Sequence, residues 1–537
     1  MAKYKKFIYL TFIGTFSILF LNYCSSRELK LNVILITLDT QRADYISAYT
    51  LDNALTPNID FLARNGILFE NCYSLIPITL PSHASLFYSK PPYKLNIYNN
   101  GEIFNGEGKK SLVEIFKEKG YLSSAFISLG VLSKRCGLTN GFDNYHDEFP
   151  SSRWYLNADE INSKVFPWLE KNKDRKFFLW IHYSDPHDPY APPYLPPDLK
   201  IYLNNKLVGE FCLKKYQVEK LKLHLRKGEN ILEFRVINEF INKPNAFLAR
   251  FDIFEFSSGI TDKLKIDYSR GWRIRKKKDK RILTFKNNSI LKIYSSKSYE
   301  VELTFRGKTN LSSYGSRLMY KKEVEYMDKE IGKLINKLKQ LNLFNKVSII
   351  LVGDHGEGLG EYKSAWGGLH FGHIHFLYNV YLKVPLVIYN PYSEKKNIKI
   401  SEPVTLLDVA PTILKLMRWK KPKEMEGRDI LNSTELKKNL EIYSETYAPE
   451  SYYNRFSIIS YPWYLIFTPK KKEFELFKFI KNTLDTKDLY SQYKNRKEVK
   501  NLEKKLIEFS KKALKNRVVK PYDKETLRML KSLGYLK

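Results

Sequence analysis

The sequence predicts an α/β fold on a mainly parallel central sheet, carrying a β-rich insert and a smaller C-terminal α+β region. Three observations carry this. Two short β-branched runs, 33–38 and 347–353, stop abruptly at acidic residues, Asp39 and Asp354-His355. Apolar runs with no polar alternation read as strands buried on both faces, as in parallel sheets. From 32 to 194 strand-like and helix-like segments alternate, which places helices over a sheet. From 195 to 306 that rhythm gives way to short strands with alternating polarity.

In chain order, residues 1–28 stand apart. Lys3, Lys5 and Lys6 precede an apolar stretch at 7–21 and then Cys24, the pattern of an export signal rather than a membrane span. Three readings stay open: a lipoprotein signal with Cys24 lipidated, a cleaved signal, or an uncleaved anchor. Catalytic segments are expected at 29–194 and 307–432. Within them Thr56 opens a helix with Pro57 at its first position and Gly66 beyond its end, and 111–120 repeats that grammar. Strands are expected at 121–128 and 177–184. Thr79 and Pro81 sit where a further helix starts, a place that favours an anion. In the insert, 195–306, the alternation at Leu221, Leu223, Leu225 and at Leu232, Phe234, Val236 reads as a β-hairpin. Its basic run, 270–281, is a candidate surface for an anionic polymer or membrane. An amphipathic helix is expected at 323–341, a strand at 384–389 and a helix at 406–417. Residues 433–537 form the C-terminal subdomain.

At 537 residues the chain calls for two or three structural units, and 43% apolar residues supply a core. The formal charge of +32 reads first as a general bias towards Lys, Ile, Asn and Tyr, and next as a match for an acidic partner such as an anionic glycan or lipid. The basic residues are spread throughout, so nucleic acid is not expected. Cys24, Cys72, Cys136 and Cys212 make no disulfide framework and have no metal-ligand spacing.

The chemistry-bearing residues are Asp39, Thr79, Asp354 and His355. Carboxylate oxygens with an imidazole suit Zn, Mn, Mg or Ca, and an alcohol becomes a useful nucleophile beside such an ion. With these residues in place, the chain resembles bacterial sulfatase-family proteins of the alkaline phosphatase superfamily. The segments that carry the resemblance are NVILITLDTQRA from Asn32, TPNID from Thr56, TLPSHAS from Thr79, DPHDPY from Asp185 and DHGEGLGE from Asp354. VPL from Val384, DVAPT from Asp408 and LGYL from Leu533 complete them.

The resemblance implies an alkaline-phosphatase-like sandwich and a divalent ion (Ca, Mg, Mn or Zn) held by Asp39, Asp354, His355 and Thr79. It also implies Thr79 as nucleophile, with His187, His373 and His83 as further catalytic residues and Asn100 contacting substrate. Asp185, His187 and His373 are an alternative second metal group.

The sequence departs from the sulfatase pattern in ways that bear on the reaction. Thr79 stands where sulfatases carry a Cys or Ser matured to formylglycine, and His83 replaces an arginine. Thr40 replaces a second acid, Asn379-Val380 an acidic pair and Tyr362 a histidine. A threonine adduct has no second hydroxyl to expel sulfate, so attack at the central atom must resolve it, which favours a phosphate ester or diester. The expectation is an exported, membrane-anchored hydrolase of a sulfate, phosphate or phosphonate ester on a glycan or lipid. The alternatives are a phospho-group transferase and an inert surface binding protein.

Overall fold

Alternate residues of a strand face opposite sides of its sheet, so an unbroken apolar run needs a core on each side. In the computed structural model, Asn32–Leu38 divides its side chains in this way. Val33 and Leu35 join Trp180, Ile350 and Val352 in one core. Ile34, Ile36 and Leu38 join Ile181, Ile349 and Leu351 in the other. Each such side chain stabilises the fold by about 1.5–3 kcal/mol on leaving water.

The structure describes residues 31–535 except 52, 107, 189, 191, 193–198, 214–216, 237–248, 258–262, 278–279, 310–315, 365–367, 437–439, 448–452, 480–486, 516, 518–521 and 534. The expected export signal, with Cys24, lies outside the described residues. Among the described residues no helix is long and apolar enough to cross a membrane, and Cys72 and Cys136 are free.

The central sheet has eight strands, in the order Ile398–Ile400, Ile67–Phe69, Leu386–Tyr389, Val347–Gly353, Asn32–Leu38, Phe177–Tyr183, Leu122–Phe126, Asn144–His146. All neighbours pair in parallel except Leu386–Tyr389, which is antiparallel to both of its partners. Helices Thr79–Tyr88, Leu112–Glu118 and Val409–Leu416 cover one face. Pro57–Arg64, Ala158–Asn172 and Ser316–Gln340 cover the other. The fold is therefore an alkaline-phosphatase-like α/β sandwich.

Local chemistry explains most boundaries. A reciprocal capping box between Ser111 and Glu114 starts the Leu112–Glu118 helix. Thr56 does precede the Pro57–Arg64 helix, but its hydroxyl makes no cap bond and turns to Ser47 and Asp60. The strand expected at 384–389 is two pieces. Lys383–Val384 pairs with Cys72–Tyr73 and Leu386–Tyr389 joins the main sheet, because Pro385 between them has no N–H for a ladder.

The insert forms its own sheet, in the order Lys206–Phe211, Leu199–Leu203, Gly228–Val236, Lys280–Ser295, Ala249–Phe256, Tyr299–Thr309, Gln217–Leu225, with Leu264–Lys277 pairing onto Lys280–Ser295. It has a core of its own, in which Ile201 packs with Phe234, Phe251, Phe285 and Phe305. The expected hairpin is not formed. Gln217–Leu225 pairs with Tyr299–Thr309, while Gly228–Val236 pairs with Lys280–Ser295 and Leu199–Leu203. The two strands are joined by a corner, not a ladder. The buried Asn230 side chain holds that corner, accepting from Arg226 N–H (3.0 Å) and donating to Arg226 O (2.8 Å). Alternation marks which face a residue takes and is the same for a corner as for a hairpin, so it does not tell them apart. The basic run lies on the hairpin Leu264–Lys277/Lys280–Ser295, and Tyr299–Thr309 carries the insert beyond the expected boundary at 306.

The C-terminal region holds a four-stranded antiparallel sheet, Ile442–Thr446, Arg455–Ser460, Trp463–Thr468 and Glu473–Lys478. The helix Lys497–Leu514 packs on it through Val499, Leu502 and Leu506. The last described helix, Lys524–Ser532, instead enters the catalytic core through Met529 and Leu530.

Candidate active site

Leu38 and Gly353 are in register on adjacent parallel strands, so Asp39 and Asp354 leave the sheet side by side at its carboxyl edge. The backbone turns sharply there. Thr40 has φ 54°, a left-handed conformation that is an outlier for a β-branched residue and costs about 1–2 kcal/mol. In return the Thr40 N–H reaches Asp354 Oδ1 (3.1 Å), and the His355 N–H donates to the same oxygen (2.6 Å). The Thr40 hydroxyl donates to Asp39 O (2.7 Å) and adds no ligand in place of the missing acid.

Asp39, Asp354 and His355 are fully buried and their ligand atoms lie within 4.8 Å of one another. His355 Nδ1 lies 3.0 Å from Gly356 O. A carbonyl can only accept, so the proton sits on Nδ1 and Nε2 presents a lone pair. That lone pair faces Asp354 Oδ2 at 3.4 Å and Asp39 Oδ1 at 4.0 Å, and both oxygens are buried without a hydrogen-bond partner. Two unpartnered carboxylate oxygens converging on an imidazole lone pair are repulsive alone and suit a divalent cation. Burial pushes Asp354 well above the usual carboxylate range, and the neighbouring Asp39 adds to this. Burial also opposes ionisation of Asp39, but the His182 hydrogen bond and nearby imidazoles outweigh it and hold Asp39 low.

Thr79 is the first residue of the helix Thr79–Tyr88. Its Oγ1 is 3.3 Å from His355 Nε2 and so borders the cluster. Asn100 tethers the same helix start: its Oδ1 accepts from Leu80 N–H (2.9 Å), and its buried Nδ2 has no partner. His373 and His187 flank the other side, with ring centres 5.1 Å apart and His373 4.6 Å from His355. Glu357 orients His373 through Nδ1 (3.0 Å), which leaves Nε2 buried and unpartnered. Burial lowers His373 to about 4. Ile374, next in the chain, has φ 80°, a second strained β-branched residue beside the site.

His83 borders the cluster from within the protein, its Nδ1 3.7 Å from Asp354 Oδ2. Its Nδ1 bonds Thr79 O (2.8 Å) and its Nε2 bonds Thr37 Oγ1 (3.0 Å). Burial holds it down to about 3, so it is neutral and cannot supply the charge of the arginine it replaces. Its bond to Thr79 O ties it to the start of the Thr79 helix. Asp185 is drawn off, accepting from Ala158 N–H at a helix start (2.9 Å). Among the described residues, Asp185, His187 and His373 do not form a ligand group; the one such group is Asp39, Asp354 and His355.

Three site residues escape a reading of the sequence. His182, in the buried strand Phe177–Tyr183, bonds Asp39 Oδ2 (3.2 Å) and Ser128 Oγ (2.8 Å); a histidine inside an apolar strand is its only signal. Glu357 sits in the motif segment of His355. Tyr535 belongs to the closing LGYL segment, which assigns it no role: its hydroxyl reaches His187 Nε2 (2.8 Å) and also Thr79 Oγ1 (3.4 Å), the latter 456 positions away in sequence.

The sandwich and this cluster define a class, the alkaline phosphatase superfamily. The sulfatase family model matches residues 31–418, and the chain belongs to the sulfatase family and is an ester hydrolase of that superfamily. A model of the N-sulphoglucosamine sulphohydrolase C-terminal region matches 369–517. N-acetylglucosamine-6-O-sulfatase of Bacteroides thetaiotaomicron is 23% identical over 421 residues, covering 74% of this chain and 70% of that one. A protein solved in complex with its substrate D-glucosamine-2-N,6-O-disulfate superposes with TM-score 0.58 at 16% identity, over 90% of this chain and 98% of that one. The phosphonate monoester hydrolase of Silicibacter pomeroyi gives 0.58 at 15% identity, over 91% and 96%.

Proposed function

We propose that the chain is an exported, metal-dependent hydrolase that cleaves an anionic ester through a covalent Thr79 adduct, with phosphate esters or diesters preferred to sulfate. The observation that carries this is Thr79 Oγ1 at a helix start, 3.3 Å from His355 Nε2 and beside two unpartnered carboxylate oxygens. Asp39, Asp354 and His355 would hold a divalent ion, which when bound supplies charge that draws the ester anion and acidifies the neighbouring alcohol. The helix start and Asn100 Nδ2 offer donors to the ester oxygens. Thr79 attacks the central atom, His187 or His373 protonates the departing oxygen, and water then releases the adduct. Threonine supports the phosphate preference because it cannot form the aldehyde hydrate that expels sulfate. The relatives' sulfated sugar substrates support an anionic glycan, and the basic, apolar start of the sequence supports export.

Thr79→Ala tests the reading. Assayed on aryl sulfate, phosphate monoester, phosphodiester and phosphonate substrates, it should lose turnover by at least about 1,000-fold, roughly 4 kcal/mol of barrier. Trapped-intermediate mass spectrometry on the parent should place the adduct on Thr79. A variant within about tenfold of the parent would sink Thr79 as nucleophile.

A further inference from the structure

The hydroxyl of Tyr535 stands between the two residues that the proposed reaction uses on opposite sides of the site. His187 Nδ1 is 2.5 Å from Asp188 O. That carbonyl can only accept, so Nδ1 carries the proton and Nε2 must accept the Tyr535 hydroxyl 2.8 Å away. With its own proton committed to His187, the Tyr535 oxygen is free to accept from Thr79 Oγ1 at 3.4 Å. The other acceptor near Thr79, His355, belongs to the carboxylate cluster, whereas Tyr535 leads on to a base.

The placement is built. Tyr535 N–H closes onto Leu530 O (2.8 Å). Asp523 caps the Lys524–Ser532 helix and pairs with Arg135 (3.1 Å). Gly101, at φ 82°, lies under the helix so closely that a Cβ would come within 2.8 Å of Leu530 and 2.9 Å of Thr526. The helix thus docks on the residue after Asn100, which itself holds the start of the Thr79 helix.

We propose that Tyr535 is a catalytic residue that relays the proton of Thr79 to His187. This rests on Thr79 being the nucleophile. As Thr79 Oγ1 bonds to the central atom, its proton passes to the Tyr535 oxygen while the Tyr535 proton passes to His187 Nε2. His187 then protonates the departing oxygen and returns to its starting form. When water attacks the adduct, its proton travels from His187 through Tyr535 to the leaving Thr79 oxygen, so both half-reactions balance. A hydrogen bond of 3.4 Å is long, but such bonds commonly shorten when substrate binds.

Tyr535→Phe in the full chain removes only the hydroxyl. We expect kcat to fall about 100-fold, while KM, inhibition by inorganic phosphate and the thermal unfolding midpoint stay near the parent values. A second variant, stopped after Leu533, should lose at least as much activity. Turnover of Tyr535→Phe within about threefold of the parent overturns the relay. Higher turnover in either variant also overturns it and makes the tyrosine a plug. Thr79→Ala run in parallel separates the two ideas: an active Thr79→Ala defeats the threonine reading itself, whereas an inactive one beside a fully active Tyr535→Phe defeats only the relay.

Discussion

Asp39 must present one oxygen to the cluster while the other is held in place, and His182 does the holding. Its ring spans from Asp39 Oδ2 to Ser128 Oγ and is fully buried. A partner of this kind fixes the orientation of a metal-binding carboxylate, and its loss commonly weakens metal binding about 10- to 100-fold. His182→Ala should therefore lower affinity for the divalent ion by that factor, measured by metal titration of the stripped protein and not by turnover. Unchanged affinity would make His182 a packing residue only.

Among the elements, the strand Ile442–Thr446 carries a buried acid whose hydrogen bonds come from neutral donors. Glu445 accepts from Tyr93 N–H (2.9 Å) and from the Tyr447 hydroxyl, tying the C-terminal sheet to the Pro92–Leu95 helix. Burial raises Glu445 from an ordinary 4.5 to about 7. The folded state therefore keeps a proton that the unfolded chain gives up above about pH 4.5, and the stability it brings is lost as pH rises through about 7. The loss amounts to roughly 3 kcal/mol. Glu445→Gln cannot ionise, so its stability relative to the parent should rise by about that amount between roughly pH 4.5 and 8. Urea unfolding at a series of pH values measures the difference; a flat difference would show that Glu445 titrates normally.

For the whole molecule, the insert has a core separate from the two that cover the catalytic sheet, and none of the site residues described above lies within it. Replacing Leu199–Thr309 by a short linker should leave the sheet folded, since loop closure costs only about 0.6 kcal/mol per doubling of length. Turnover of a small aryl ester should survive within about tenfold. Arg273 and Arg275 are exposed on the long hairpin, so retention on a heparin column should fall. For the parent, that retention should weaken with salt as the screening length drops to roughly 10 Å at 0.1 M. A folded deletion variant without esterase activity would show that the insert shapes the pocket.

What the sequence determined by itself is local. The apolar runs ending at Asp39 and Asp354 announce buried parallel strands because a run without alternation needs two covered faces. Pro57, Pro81 and the capping residue at Ser111 mark helix starts because capping is settled within four residues. What only the tertiary structure decided is partnership. Alternation at Leu221–Leu225 and Leu232–Val236 assigns faces but not neighbours, so a corner and a hairpin read alike. His83 sits near Thr79 in sequence, yet only the packing of its helix on the sheet brings it to Thr37 and Asp354. Tyr535 and His182 reach Thr79 and Asp39 through distant segments, and side-chain contacts across such separations leave no trace in local pattern, since they depend on how the layers pack.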